Sequence, residues 1–171
     1  MNELFKKRRS VRKFTKKAVS DAQIKEILLA AMVAPSGCNR RPWDFVVVKD
    51  SQTKKVLAQS GPWADFVDEA SVAIAIIGDE QKSWLWLEDC SLAAGQIYLE
   101  ATNQGLGACW AHIRGGKTVQ KEDAEDFVRK VLGIPQTKRV LRLMAIGDPA
   151  ESPPQYSEKD FNSSKVHQEK W

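Results

Sequence analysis

Three guanidiniums and a hydroxyl stand within five residues at Arg8-Arg9-Ser10-Val11-Arg12. A planar guanidinium can fork onto two phosphate oxygens, and a serine beside it can add a charge-assisted hydrogen bond. The pattern suits a monophosphate clamp. Its competitors are a solvated basic terminus and a nucleic-acid-binding segment. Residues 1–20 hold eight Lys/Arg and one acid, whereas the other 151 hold 18 bases and 21 acids. The net +4 is therefore one basic segment on a slightly acidic body. Val11 and Phe14 alternate with the cations and need a surface to pack on, which argues against a free tail.

Other residues able to do chemistry are few. His112 and His167 are the only histidines, and with Cys38, Cys90 and Cys109 they assemble no metal-ligand spacing. His112, near a strand end, reads as a surface or core residue before it reads as an acid–base group. The Rossmann glycine fingerprint, the P-loop and the GxSxG elbow are all absent. Hydrolytic triads and tightly held dinucleotides are thus poorly supported, and a phosphate-bearing ligand with an aromatic ring system stays open.

Several elements must position these groups. Val19-Ser20-Asp21-Ala22-Gln23-Ile24 carries a capping box and a hydrophobic staple, so a helix starts at Ser20 and stops near Val33, ahead of Pro35. The segment Ala34–Trp43 is a stiff loop with two prolines, able to present Ser36 and Asn39, and it leads into a strand over Asp44–Val48. Gln52–Ser60 reads as a surface helix broken by Gly61-Pro62-Trp63. Ser71–Ile77 is a strand buried on both faces. Ser83–Gln104 is the longest helix, apolar or small nearly all round from Ser91, so other structure should enclose it. Strands follow over Leu106–Ile113 and Val140–Ile146, with a helix over Glu122–Leu132 between them. From Ala150 the chain is polar, with Trp171 at its end. This order allows α+β or α/β with a central sheet.

The length of 171 residues suits one domain with a sizeable core. The 43% hydrophobic and 28% charged fractions are ordinary for a globular protein. No apolar run approaches the ~20 residues of a membrane span, and the N-terminus lacks the apolar core of a secretory signal. Three cysteines without CxxC spacing point to a reduced, cytoplasmic protein.

Taken in order, four segments resemble the motifs of the nitroreductase family of flavoproteins. Arg8-Arg9-Ser10-Val11-Arg12-Lys13-Phe14 resembles the opening RRSxRxF. Ala34–Asn39 with Pro42–Phe45 resembles the second motif, Gly105–Trp110 the third, and Ile146–Glu151 the fourth. The resemblance implies an α+β fold with a mostly antiparallel sheet flanked by helices, and one domain over 1–171. Residues 150–171 would be a C-terminal extension packed on a partner subunit. It further implies a homodimer with FMN at the interface. Arg8, Arg9 and Ser10 would hold the phosphate and ribityl end, and Arg12 would face the N1 and C2 carbonyl edge. Pro35, Ser36 and Asn39 would reach the other subunit's flavin. Backbone groups at Ala111, His112 and Ile113 would approach N5, with Lys159 a second phosphate cation. This chain departs from the family's usual residues at Ala111-His112-Ile113 and at Arg41, where a glutamine is usual.

The implied reaction passes hydride from NADH or NADPH through flavin N5 to a nitroaromatic, quinone or similar acceptor, in a ping-pong cycle. No side chain is needed as a nucleophile and no metal is expected; His112 is a candidate on the substrate side. Neither nucleic acid nor membrane is an expected partner. The alternative is an FMN-binding sensor or carrier with little turnover.

Overall fold

The computed structural model describes every residue from Met1 to Trp171. Strands β1 (Trp43–Val48), β2 (Val72–Gly78), β3 (Gly107–His112) and β4 (Arg139–Gly147) form one sheet in the order β1-β2-β4-β3. Every neighbouring pair is antiparallel, so of the two fold classes allowed by element order the chain adopts α+β. The helices are α1 (Glu3–Lys7), α2 (Asp21–Met32), α3 (Ser51–Leu57), α4 (Phe66–Glu69), α5 (Trp86–Asn103) and α6 (Ala124–Leu132).

The continuous apolar run of β2 is explained by two cores. Val72, Ile74 and Ile76 join α2 and α5 on one face, around Ile27, Ile97 and Met144. Ala73, Ala75 and Ile77 join α3, α4 and α6 on the other, around Leu57, Val67 and Val128. The α2 capping box forms as its sequence requires: Ser20 Oγ accepts from Gln23 N–H, and Gln23 Oε1 accepts from Ser20 N–H. Buried Glu125 ties α6 to β4 by pairing with Arg139 and accepting from Val140 N–H.

Three elements differ from the sequence expectation. The segment expected as a surface helix over 52–60 is α3 plus a 3-10 turn, and it buries Leu57 and Ser60 completely. Helix α4 was not anticipated, because four residues are too few for periodicity to register. Helix α5 is enclosed on only one side: Leu92 is 49% exposed, and a Cβ built on Gly95 would meet nothing within 4 Å.

The N-terminal basic segment is laid on the open edge of β3. Ser10 bridges Ala108 in parallel, and Val11 N–H donates to Ala108 O at 3.0 Å. Its other side runs antiparallel to the chain after β4. Phe14 bridges Pro149, Thr15 N–H donates to Asp148 O, and Ala150 N–H donates to Lys13 O. Glu151 Oε1 accepts from the N–H groups of Arg12 and Lys13, and Tyr156 N–H donates to Lys6 O.

Two glycines permit this lay. A Cβ on Gly107 would sit 2.6 Å from Val11 Cγ1, and one on Gly147 would sit 2.8 Å from Phe14 Cδ1. Val11 and Phe14 are buried over those bare backbones, so the alternation seen in the sequence is a pair of plugs. Gly107→Ala should therefore cost about 1–3 kcal/mol through overpacking against a stiff β-branched side chain. Thermal unfolding checks this: Tm should fall, and adding Val11→Ala should recover part of the loss.

Candidate functional site

The plugs fix which way the cations point. Arg8 and Ser10 face a cleft of about 460 Å³ that Gly95, Tyr98 and Leu99 of α5 share with Trp110 of β3. Arg12 faces a neighbouring cleft of about 220 Å³ with Trp63, Phe66, Trp110 and His112. Trp110 is the wall between the two. Its indole is held edge-on by Tyr98, with ring centroids 5.7 Å apart, and the Arg142 guanidinium lies 4.1 Å from its ring centre. Trp110 is thus a fixed aromatic surface although it is 46% exposed. Trp63, 84% exposed, stands on a turn closed by Ala64 N–H donating to Gly61 O.

Electrostatics sharpen the picture. No ion pair joins Arg8, Arg9 or Arg12 to a carboxylate; the chain's ion pairs lie elsewhere. The nearest acid along the segment, Glu151, spends one oxygen on backbone N–H groups. Arg142 is also without a carboxylate; its Nε is buried without a hydrogen-bond partner, and burial works against its charge. Ser10 Oγ lies 3.3 Å from Tyr98 Oη, whose pKa burial raises.

The strand edge adds backbone groups. Ile113 N–H donates to Leu141 O, so Ala111 and Ile113 direct their amides to β4. Antiparallel alternation then turns the N–H and C=O of Trp110 and His112 outward, as the Ala108 carbonyl met by Val11 is turned. Of the three residues expected to offer backbone groups, His112 presents its own at the open edge, beside Trp110.

The remaining expected residues lie apart from this edge. Pro35, Ser36 and Asn39 sit in a loop pinned to the start of α5, where the Asp89 carboxylate accepts from Gly37 N–H at 2.9 Å. Cys38, Asn39 and Arg41 all have φ near +50°, a conformation side chains rarely adopt. Ser36 Oγ accepts from Arg41 N–H, and Asn39 Oδ1 from Arg41 Nε, which holds the turn. Asp89 and Tyr98 share α5, so loop and clamp are about 14 Å apart along its axis at 1.5 Å per residue. No hydrogen bond connects the two sets. Arg9 lies over Tyr156 and donates to the Pro154 carbonyl, and it is not among the residues lining the Arg8–Ser10 cleft. Lys159 lies exposed in a one-turn helix of the tail, with no hydrogen bond or ion pair to the clamp.

Sequence reasoning missed Asp89, Tyr98 and Tyr156. Asp89 reads as an ordinary first-turn acid and Tyr98 as one more member of an apolar helix. For Tyr156 no local signal exists.

Fold and edge together define an α+β protein that aims uncompensated guanidiniums and open strand amides at one aromatic-walled groove. A profile of the nitroreductase family matches residues 5–61 and 56–148. A protein of Archaeoglobus fulgidus, provisionally named NADH dehydrogenase/NAD(P)H nitroreductase, is 34% identical over 169 residues, covering 96% of this chain and 94% of that one. The FMN-dependent nitroreductase of Clostridium difficile R20291 superposes with a TM-score of 0.95 at 35% identity, over 98% of both chains. The NADPH:FMN oxidoreductase of Vibrio harveyi, solved with NAD+, shares the fold with a TM-score of 0.82 at 23% identity, over 99% of this chain and 76% of that one. The chain belongs to the nitroreductase family.

Thiol chemistry gives a direct check on the site's interior. Burial pushes the Cys90 thiol up to about 12 and raises that of Cys109, while Cys38 is exposed on the strained loop. Ellman titration near pH 8 should find one reactive thiol in the native protein and all three after denaturation. Two fast native thiols would contradict the packing of Cys109 behind Ser10 and Tyr98.

Proposed function

We propose that the chain is an FMN-dependent NAD(P)H oxidoreductase acting on an organic acceptor such as a nitroaromatic or a quinone. One observation carries the reading: Arg8, Arg9 and Arg12 have no carboxylate partners, and Arg8 and Arg12 flank a strand edge where the N–H groups of Trp110 and His112 are free. The donor set fits the cofactor. Arg8 and Ser10 would take the phosphate and ribityl arm, with Arg9 adding charge from its other side. The outward N–H groups of Trp110 and His112 would serve the N5 edge. Arg12 would give a cation to the N1 and C2 carbonyl edge, where negative charge develops on reduction. Bound there, FMN would supply the hydride chemistry of a ping-pong exchange between NADH or NADPH and the organic acceptor, while these residues bind and orient it. Trp110 and Trp63 keep an aromatic-walled cleft for planar molecules, and His112 borders it as a group that shapes acceptor access.

The same geometry supports a homodimer. The Arg12 cleft, at about 220 Å³, is smaller than the roughly 300–1,000 Å³ of sites that enclose a ligand. Pro35, Ser36 and Asn39 lie at the far end of α5 from the clamp and would complete the groove from a second copy. The open face of α5 at Leu92, Gly95 and Leu99 lets another helix approach. One nitroreductase-like domain spans 1–171, and within the extension 150–171 the residues after Tyr156 are the ones free to pack on the second copy. No helix is long and apolar enough to cross a membrane. Three free cysteines suit a reducing compartment, and a cytoplasmic enzyme is the setting we infer from them.

Three measurements test the reading. Arg8→Ala should lose about 1.5–3 kcal/mol of cofactor binding, the worth of a charged hydrogen bond, and purify with little 450 nm absorbance. Wild-type flavin should bleach rapidly under anaerobic NADH or NADPH; stable colour would favour the sensor or carrier. Light scattering of the holoprotein should give twice the 19.2 kDa chain mass, and a flavin-loaded monomer would overturn the shared site.

A further inference from the structure

We infer that Tyr156, in the segment after β4, is a positioning residue that holds the two clamp guanidiniums for a phosphate. The inference rests on the functional reading above. Its ground is a packing arrangement at the chain's two ends.

Arg8 and Arg9 are adjacent in sequence, equal in charge and unpaired with any carboxylate. Two such groups repel each other, and each is free to wander on a long side chain. In this structure both are collected on one ring. The Arg8 guanidinium carbon lies 5.4 Å from the centre of the Tyr156 ring, and that of Arg9 lies 4.5 Å from it. Arg8 is also 5.4 Å from the centre of the Tyr98 ring. Arg8 Nη2 donates to Tyr156 Oη at 3.1 Å, and Arg9 Nη1 donates to the Pro154 carbonyl. Tyr156 is itself anchored, because its N–H donates to Lys6 O at 3.0 Å.

The chemistry of this arrangement differs from that of an ion pair. A carboxylate would cancel the charge that a phosphate needs. A ring face, a phenol oxygen and a peptide carbonyl orient a guanidinium and leave its net charge uncancelled. The phenol accepts from Arg8, so its own proton remains available to an anion. Tyr156 thereby orders two cations and adds a third donor, and it does so from a segment that reaches the clamp only by running back along residues 6–15. The affinity it confers must reside in the phosphate, because nothing in the contact involves the ring end of the groove.

The test compares two ligands that differ by the phosphate. FMN and riboflavin dissociation constants are measured by flavin fluorescence quenching on apoprotein of wild type, Tyr156→Ala and Tyr156→Phe. Wild type should prefer FMN. Tyr156→Ala should weaken FMN binding about tenfold, as loss of cation–π support and one charged hydrogen bond implies, and leave riboflavin within about twofold. Tyr156→Phe keeps the ring and should lose only a few-fold on FMN, which guards against a variant that merely misfolds. An unchanged FMN-to-riboflavin ratio in Tyr156→Ala, or an equal loss on both ligands, overturns the inference while leaving the enzyme reading intact. A wild type that distinguishes the two flavins not at all overturns the clamp assignment itself, and this inference with it.

Discussion

The structure depends on a close approach: the backbone of the N-terminal basic segment lies against two strand glycines that have no side chain to keep it away. Val11 fills the space over Gly107, and Phe14 fills the space over Gly147. One hydrogen bond, from Val11 to Ala108, then sets the register. Because successive side chains of an extended segment point opposite ways, burying Val11 turns Ser10 and Arg12 outward. A segment that composition alone reads as a soluble tail becomes a fixed rail of cations. The rail also covers the β3 edge as far as Ala108, and leaves the amides of Trp110 and His112 bare beside Arg12. The aromatic groove and its charge are consequences of that one docking.

An array of guanidiniums without counter-charges is a poor way to stabilise a fold. Elsewhere the chain follows the usual practice: Glu125 is buried only because Arg139, Arg129 and the Val140 amide meet it. Desolvation alone would raise its pKa, and these partners lower it. At the groove the partners are rings and carbonyls. Like-charge repulsion between Arg8 and Arg9, and the desolvation of Arg142 under Trp110, are tolerated because the surrounding packing over-determines their positions. This pattern suits the anion-binding role proposed for the groove.

The sequence was legible where one local interaction decides. The α2 capping box, the end of α6 at Leu132 and the doubly buried β2 need no distant partner to be recognised. Motif spacing gave the family, and of the expected residues Arg8, Ser10, Arg12 and His112 border the groove. It did not give direction. Arg8 and Arg9 are equivalent as letters and become different only once Val11 is seated. Asp89 looks like a helix-dipole acid, yet it accepts the Gly37 amide across a loop boundary. Tyr156 stands 148 residues from Arg8, in a polar stretch without periodicity, and only the antiparallel return of the chain after β4 brings it there. The open face of α5 has a related cause. Small and apolar residues predict enclosure but do not say by which chain.

That last point constrains the assembly. Cys90, Ala94, Ile97 and Ala101 press one side of α5 on the sheet, which leaves Leu92, Gly95 and Leu99 turned away from the core. A glycine in mid-helix costs roughly 0.5–1 kcal/mol against alanine, and at Gly95 nothing in this chain would obstruct a Cβ. The missing methyl therefore has no use inside the protomer. Beside it the Arg8–Ser10 cleft lies open, with Tyr98 and Leu99 as part of its floor. The strained Ser36–Arg41 loop, held in a geometry that three positive φ angles make costly, stands at the other end of the same helix. A two-fold axis crossing α5 would exchange those ends, bring each loop to the other copy's clamp, and give Gly95 its reason. In the proposed dimer a single chain would hold two half-sites, each lacking what the other has.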